Sequence, residues 1–193
     1  YVPLDISLDY VRKSVKKLKK KYPKIKIKPK KIDYSKQFKI PNLKETTKVY
    51  FFLGSSIGNF YNKEEIKFLK KLRKSISKNN YLFIGVDLIK NKTTLDKAYN
   101  DKKGYTAKFS LNLINIINRT QKTNLNIKDF YYHGFYNTKL KCIKGFLVSK
   151  INQNFKIGNK KFFLKKNERI LVEISNKFTI QSFTRLASNT GWT

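Results

Sequence analysis

The sequence predicts an α/β fold: a parallel sheet covered by helices, with an antiparallel α+β appendage late in the chain. Three observations predict it. Apolar, β-rich runs alternate with helix-spaced stretches as far as residue 120. Those runs close, one after another, on acidic or glycine-rich segments. Beyond about residue 125 the texture changes to short aromatic and β-branched runs separated by Asn, Gly and Lys turns. A chain of 193 residues is long enough for one domain with a substantial core, or one domain and a small appendage.

Taken in order, YVPLDIS (1–7) reads as a short strand ending near Asp5. Ser7 is a candidate N-cap, after which Val11, Val15, Leu18 and Tyr22 repeat at helical spacing until Pro23. IKIKPKKIDY (25–34) reads as a second strand closed by Asp33, with Pro29 pointing to an irregular or edge position. A polar stretch with Pro41 leads into KVYFFLG (48–54), the most apolar strand. Asn62 followed by Glu65 has the pattern of a capping box, and Ile66, Leu69, Leu72 and Ile76 form the buried stripe of the next helix. NYLFIGVDL (80–88) is a fourth strand, followed by helical stretches over 93–101 and 106–120 with Gly104 between them. DFYYHGFYN, LKCIKGFLVSK, NFKIG, KKFFLKK and RILVEISNKF carry the antiparallel part, and a last helix over 178–189 turns Phe183 and Leu186 inward.

Charge is the most unusual feature of the composition, with 44 Lys+Arg against 12 Asp+Glu and a formal net charge of +32. Such a field attracts polyanions, so a basic nucleic-acid-binding module is one reading. The lysines are spread over helix faces, loops and strand edges, and even VRKSVKKLKKKYPKIKIKPKK (11–31) keeps regular apolar positions. That dispersal, together with abundant Asn and Ile, favours compositional drift over a nucleic-acid partner. No segment approaches the apolar length of a membrane span. A single cysteine, Cys142, excludes an intrachain disulfide and points to a reducing, cytoplasmic setting. There is no Cys/His cluster to hold a metal; His133 reads as a packed or surface imidazole and Cys142 as a core thiol. The chain contains no methionine and opens inside an apolar run, which reads as a fragment cut at its N-terminus.

In an open α/β sheet, ligands gather at the carboxyl ends of the strands. The polar residues there are Asp5, Asp33, the 54–59 stretch GSSIGN, and Asp87. A carboxylate at such an end accepts both hydroxyls of a ribose, and Asp33 followed by Tyr34 offers an acceptor and a ring face to a base. Singly, each acid also serves as a helix cap; their recurrence favours a nucleoside-shaped pocket. GSSIGN matches neither G-x-G-x-x-G nor a P-loop. Two readings of it stay open: a ligand cradle in which Gly54 and Gly58 admit close approach and Asn59 recognises a zwitterion, or a tight strand-to-helix turn. Glu173 and Ser175 alternate on one strand face, as a pair that reads an imidazole or another N–H donor, or as two wet strand residues.

Taken together, YVPLDIS, Asp33-Tyr34, FFLGSSIGNF, FIGVDLIK, AYNDKKGYTAKFSLN and VEISNKF resemble the AdoMet-dependent histidine Nα-methyltransferases of ergothioneine biosynthesis. The resemblance implies a class I methyltransferase (Rossmann-like) sheet with an inserted α+β substrate-binding domain. It divides the chain into an AdoMet-binding core at 1–92, a substrate domain at 93–177 and a return to the core at 178–193. It implies that Asp5 takes the ribose of S-adenosyl-L-methionine and that Asp33 and Tyr34 hold the adenine. Asn59 and Tyr99 would bind the α-carboxylate of L-histidine, with Gly54 in the pocket wall. Glu173 and Ser175 would read the imidazole, and Phe109 would close the pocket around the amine. Asn100 stands where the family carries an acid and Ser110 where it carries Asn, while Asn112 is kept. The family's glycine-rich loop precedes its YVP strand and so falls before Tyr1. Rival readings are a methyltransferase for another amino acid such as tryptophan, a basic nucleic-acid module, and an inactive remnant. No catalytic base is evident, and the sequence leaves the oligomeric state open.

Overall fold

A computed structural model describes residues 1–34, 36 and 47–193; the polar stretch around Pro41 lies outside the described residues. Among them the protein is mixed α/β, with five α-helices and nine strands in four small sheets. Its internal contacts divide it into two units, Tyr1–Lys48 with Lys67–Asn80, and Val49–Ile66 with Tyr81–Thr193.

In the first unit, β1 (Leu4–Asp5) pairs in parallel with β2 (Lys30–Lys31). The regular ladder is shorter than the sequence suggests, but the bonding runs beyond it. The N–H groups of Lys28, Lys30 and Ile32 donate to the carbonyls of Tyr1, Pro3 and Asp5, each at 3.0 Å. That alternation leaves Pro29, which has no N–H, on the side away from β1, as an edge position requires. α1 (Leu8–Lys21) carries Asp9 in its first turn and Lys19, Lys20 and Lys21 in its last, both favourable to the helix dipole. Ser7 precedes it, but its side chain makes no capping bond. Its backbone N–H instead donates to Asp5 Oδ1 at 2.7 Å.

α2 (Glu64–Ser75) buries Phe68, Leu69 and Leu72, and Ile76 just beyond it is buried too. The capping box expected at Asn62 and Glu65 does not form. Asn62 and Lys63 adopt positive φ values of 49° and 62°, a left-handed turn incompatible with the extended N-cap conformation. The Glu64 carboxylate accepts the Tyr61 N–H instead, at 3.4 Å.

The second unit opens with β3 (Val49–Phe52) and β4 (Tyr81–Ile84), a parallel pair. Among the described residues the parallel pairing thus takes the form of two two-stranded ladders and an isolated bridge between Leu88 and Phe178. α3 (Lys92–Tyr99) is capped by Asn91, whose side chain accepts the Thr94 N–H at 2.7 Å. α4 (Tyr105–Gln121) follows Gly104 at φ 68°, and Asp101 accepts the N–H groups of Tyr105 and Thr106 at 2.8 Å each. The antiparallel part comprises β5 (Phe130–Asn137), β6 (Cys142–Ser149), the hairpin of β7 (Gln153–Ile157) with β8 (Lys160–Leu164), and β9 (Arg169–Asn176). β6 lies between β5 and β9. α5 (Ile180–Ser188) begins with a reciprocal cap between Thr179 and Ser182, and Phe183 and Leu186 are half-buried.

Two apolar clusters hold this unit together. Ile114, Leu125, Phe130, Leu147 and Leu164 seat α4 on the antiparallel sheet, each buried side chain contributing roughly 1.5–3 kcal/mol. Leu95, Tyr136 and Ile143 form the other, with Ile89 and Tyr99 packed against it, which fixes where α3 presents Tyr99. Cys142 is a buried thiol at the start of β6, while His133 is exposed beside Phe135. Among the described residues no helix is long and apolar enough to cross a membrane.

The backbone N–H groups of Thr106 and Tyr105 hold the Asp101 carboxyl down to about 2. A depressed carboxyl contributes stability above its unfolded value of about 3.9 and loses it as pH falls through about 2. Asp101→Ala is therefore expected to lower the melting temperature at neutral pH, and thermal scans down the pH scale should show the gap closing below about 4. A gap that stays constant to pH 2 would show that the α4 cap does not act through the ionised carboxylate.

Candidate functional site

The site lies in the second unit, on β9 and the segment after it. Glu173 and Ser175 pair with Gly145 and Ile143 of β6. The irregularity beside Gly145 falls at Val172, before both, so the strand alternation keeps them on one face. Past β9, the Lys177 N–H donates to the Lys141 carbonyl at 2.8 Å. The Phe178 N–H donates to the Asp87 carbonyl at 3.0 Å, and the Ile89 N–H returns to the Phe178 carbonyl at 2.8 Å. These bonds carry the polar end of the β4 segment to Lys177.

The Lys177 side chain has no exposed surface. Its Nζ donates to Asp87 Oδ2 at 2.9 Å, Tyr99 Oη at 2.9 Å and Ser175 Oγ at 2.8 Å, engaging all three N–H groups. Tyr99 donates to Ser175 Oγ at 3.1 Å, across 76 residues of chain. The other oxygen of Asp87 accepts from Lys90 at 3.1 Å. Burial pulls the Lys177 ammonium down, but the hydrogen bonds to Asp87 and Tyr99 outweigh it, and the net displacement is upward. Burial likewise opposes ionisation of Asp87, yet Lys177 and Lys90 together hold its carboxyl below the usual range. Each partner keeps the other charged.

Glu173 is held differently. Tyr132 of β5 donates to its Oε2 at 3.3 Å. The ring reaches it by lying across Gly134 and Gly145, which face each other on β5 and β6. A Cβ at either glycine would stand 2.6–2.8 Å from the Tyr132 hydroxyl, so only glycine leaves that path open. Burial raises the Glu173 carboxyl, against the lowering effect of Tyr132 and the Lys177 charge. Burial and the Glu173 charge push the Tyr132 phenol well above the phenol range. Tyr132 therefore stays a donor to Glu173.

The GSSIGN stretch resolves into two glycines with separate duties. Gly54 sits at φ 76°, and Ser55 after it is left-handed as well, so the chain turns sharply out of β3. Gly58 is buried in the 3-10 turn Ser56–Asn59, and a Cβ there would meet the Asn176 carbonyl of β9 at 2.7 Å. Its close approach is to its own chain rather than to a ligand. The Asn176 side chain donates to the Phe60 carbonyl at 2.8 Å and fixes the turn on β9. Asn59 is left exposed at the end of this turn.

Of the residues expected at the site, Tyr99, Glu173 and Ser175 converge, and the turn of Gly54 and Asn59 is anchored on the same strand. Phe109 does not join them; on α4 it is 82% exposed. Asn100, the departure from the family pattern, ties α3 to β5 by donating to the Gly134 carbonyl at 2.8 Å and accepting its N–H at 3.3 Å. Asp5, Asp33 and Tyr34 belong to the first unit, Asp5 and Asp33 at the carboxyl ends of neighbouring parallel strands. Asp33 pairs with Lys36 at 3.8 Å, and the Tyr34 ring meets Phe68 edge-on at 6.0 Å. Sequence reasoning missed Lys177 and Tyr132. The alternation that links Glu173 to Ser175 points next to position 177, a signal hidden in a chain so rich in lysine.

Gly58→Ala is expected to destabilise the protein by roughly 1–3 kcal/mol in denaturant unfolding, because backbone on both sides resists the added methyl. Gly104→Ala, also unfavourable through φ 68°, meets no neighbour within 4 Å and supplies the control for backbone strain alone. A Gly58→Ala loss no larger than the control would contradict the packing.

A family model described as "Histidine-specific methyltransferase, SAM-dependent" matches residues 1–193. The chain is 26% identical over 181 residues to a histidine N-alpha-methyltransferase of Mycolicibacterium smegmatis, covering 92% of this chain and 56% of that protein. The corresponding protein of Mycobacterium tuberculosis is 26% identical over 185 residues, 94% of this chain and 57% of its own length. A 74-residue stretch is 39% identical to ergothioneine biosynthesis protein 1 of Neurospora crassa, covering 38% of this chain and 8% of that protein. The chain thus spans little more than half the length of the two mycobacterial relatives. On the match over its whole length, it belongs to the histidine-specific, SAM-dependent methyltransferase family.

Proposed function

We propose that the protein transfers methyl groups from S-adenosyl-L-methionine to the α-amino nitrogen of L-histidine, as in ergothioneine biosynthesis. The observation that carries this reading is the convergence of Tyr99 and Ser175 on one hydrogen bond, with Glu173 on the same strand face. Glu173, kept an acceptor by Tyr132, suits a ring N–H, and Ser175 suits the other ring nitrogen. Asn59 and Tyr99 take the α-carboxylate on this reading, and Gly54 lies in the pocket wall. The pairing of an acid and a hydroxyl on one face favours histidine over tryptophan, whose indole offers one donor and no ring acceptor.

The acceptors of the first unit fit the nucleoside of the cofactor. Asp5 and Asp33 present carboxylates at the same end of a parallel strand pair, where a diol and an amino group are each satisfied by such acceptors. We assign Asp5 to the ribose, and Asp33 with Tyr34 to the adenine. The finer architecture is a class I, Rossmann-like methyltransferase with an inserted substrate domain, divided at 1–92, 93–177 and 178–193. This functional division cuts across the contact-defined units. We assign a cytoplasmic location, which the single thiol of this chain supports.

When bound, the cofactor supplies a methyl group on a positively charged sulfur. The protein's part is alignment: anchoring carboxylate and imidazole leaves the α-nitrogen as the free nucleophile. The amine reacts only with its lone pair exposed, so its proton leaves to water before attack.

Incubating the full-length polypeptide with L-histidine and S-adenosyl-L-methionine is expected to give methylated histidine by mass spectrometry. Intact cofactor binding without any methylhistidine would overturn the assignment. Glu173→Gln should weaken histidine binding about tenfold or more and leave cofactor affinity within about twofold. Equal losses for both ligands would assign Glu173 a structural role only.

A further inference from the structure

We infer that Lys177, held by Asp87, is a positioning residue that biases Tyr99 and Ser175 toward donating hydrogen bonds to the ligand. This inference rests on the histidine reading of the site. Nζ gives one N–H to Asp87 and one to each hydroxyl oxygen, at 2.9, 2.9 and 2.8 Å, and an ammonium has nothing to accept with. Each hydroxyl therefore has an oxygen lone pair already engaged and keeps its own hydrogen to give. Without a ligand, the Tyr99 hydrogen rests on Ser175, whose oxygen then accepts twice and is left only as a donor.

When Tyr99 turns to the ligand, the ammonium still holds one lone pair on each oxygen, and its charge beside them favours acceptors over further N–H groups. A carboxylate supplies the acceptor at Tyr99. At Ser175 the partner is an unprotonated ring nitrogen, while Glu173 on the same face takes the ring N–H. The arrangement thus selects the neutral imidazole, one donor and one acceptor, over a ring that carries only N–H. Lys177 is suited to this because Asp87 neutralises it, Lys90 occupies the second Asp87 oxygen, and the side chain is shut off from water. A water in its place would both donate and accept, and the hydroxyls would lose their fixed polarity.

The test measures calorimetric affinities of the full-length protein at pH 8, where free imidazole is neutral, since its pKa is about 6.5. The ligands are L-histidine and the two pyrrolylalanine isomers, each of which keeps one ring N–H and replaces the other ring nitrogen by C–H. Wild type is expected to prefer histidine to the better isomer about tenfold or more, because Ser175 would otherwise be left without its acceptor. In Lys177→Met the preference should fall to about threefold or less, as the hydroxyls regain acceptor character. Should Lys177→Met fail to fold with Asp87 unpaired, the paired change Asp87→Asn with Lys177→Met removes both charges and serves the same comparison. An unchanged preference in a folded variant, or equal affinities in wild type, overturns the role of Lys177 while leaving histidine as substrate. Absence of histidine binding by wild type overturns the functional reading itself.

Discussion

The ammonium of Lys177 is the interaction on which the site depends. Taking such a charge out of water costs several kcal/mol, and only complete pairing makes it tolerable. Asp87 supplies the charge, Tyr99 and Ser175 supply the remaining acceptors, and all three N–H groups are used. These partners come from the β4 segment, α3 and β9, so the three elements cannot drift apart without stranding a buried cation. Losing one partner of a buried pair typically costs about 3–5 kcal/mol. An exposed pair such as Arg12 with Asp9, at 3.5 Å, is worth about 1 kcal/mol or less and is screened by salt. The net charge of +32 therefore says little about this site, whereas one shielded lysine says much.

Glycine is the complementary constraint. Gly58 lets the turn after β3 press against β9, and Gly134 with Gly145 opens the path by which Tyr132 reaches Glu173. Both devices remove a side chain so that a polar group can be placed within about half an ångström of a required position, the tolerance that a binding site demands. The resulting division is clean. Glu173 is held as an acceptor by Tyr132, and Ser175 as a donor by Lys177. The two sit two residues apart on one strand and present opposite hydrogen-bond polarity.

Much of this was legible in the sequence where local periodicity controls structure. The stripe of Leu69, Leu72 and Ile76, the break at Gly104, the antiparallel texture after residue 125 and the shared face of Glu173 and Ser175 all follow from spacing. What escaped depends on contacts between distant segments. Asn62 and Glu65 matched a capping pattern, but the left-handed backbone at Asn62 and Lys63 gave the role to Glu64. The glycines of GSSIGN suggested room for a ligand, yet Gly58 makes room for Asn176, 118 positions further along. Lys177 was hidden among the dispersed lysines: the strand alternation points to its face, but not to Asp87 and Tyr99 as the groups that enclose it. Asp87 was visible as a polar strand end, but its partner was not.

Tyr99 and Ser175 thus act as one unit fixed by Lys177. The most direct measurement is a double-mutant cycle on L-histidine affinity in the full-length protein, with Tyr99→Phe and Ser175→Ala made singly and together. The account predicts non-additive losses, with a coupling of about 0.5–3 kcal/mol between the two hydroxyls. Losses that add to within about 0.5 kcal/mol would contradict it.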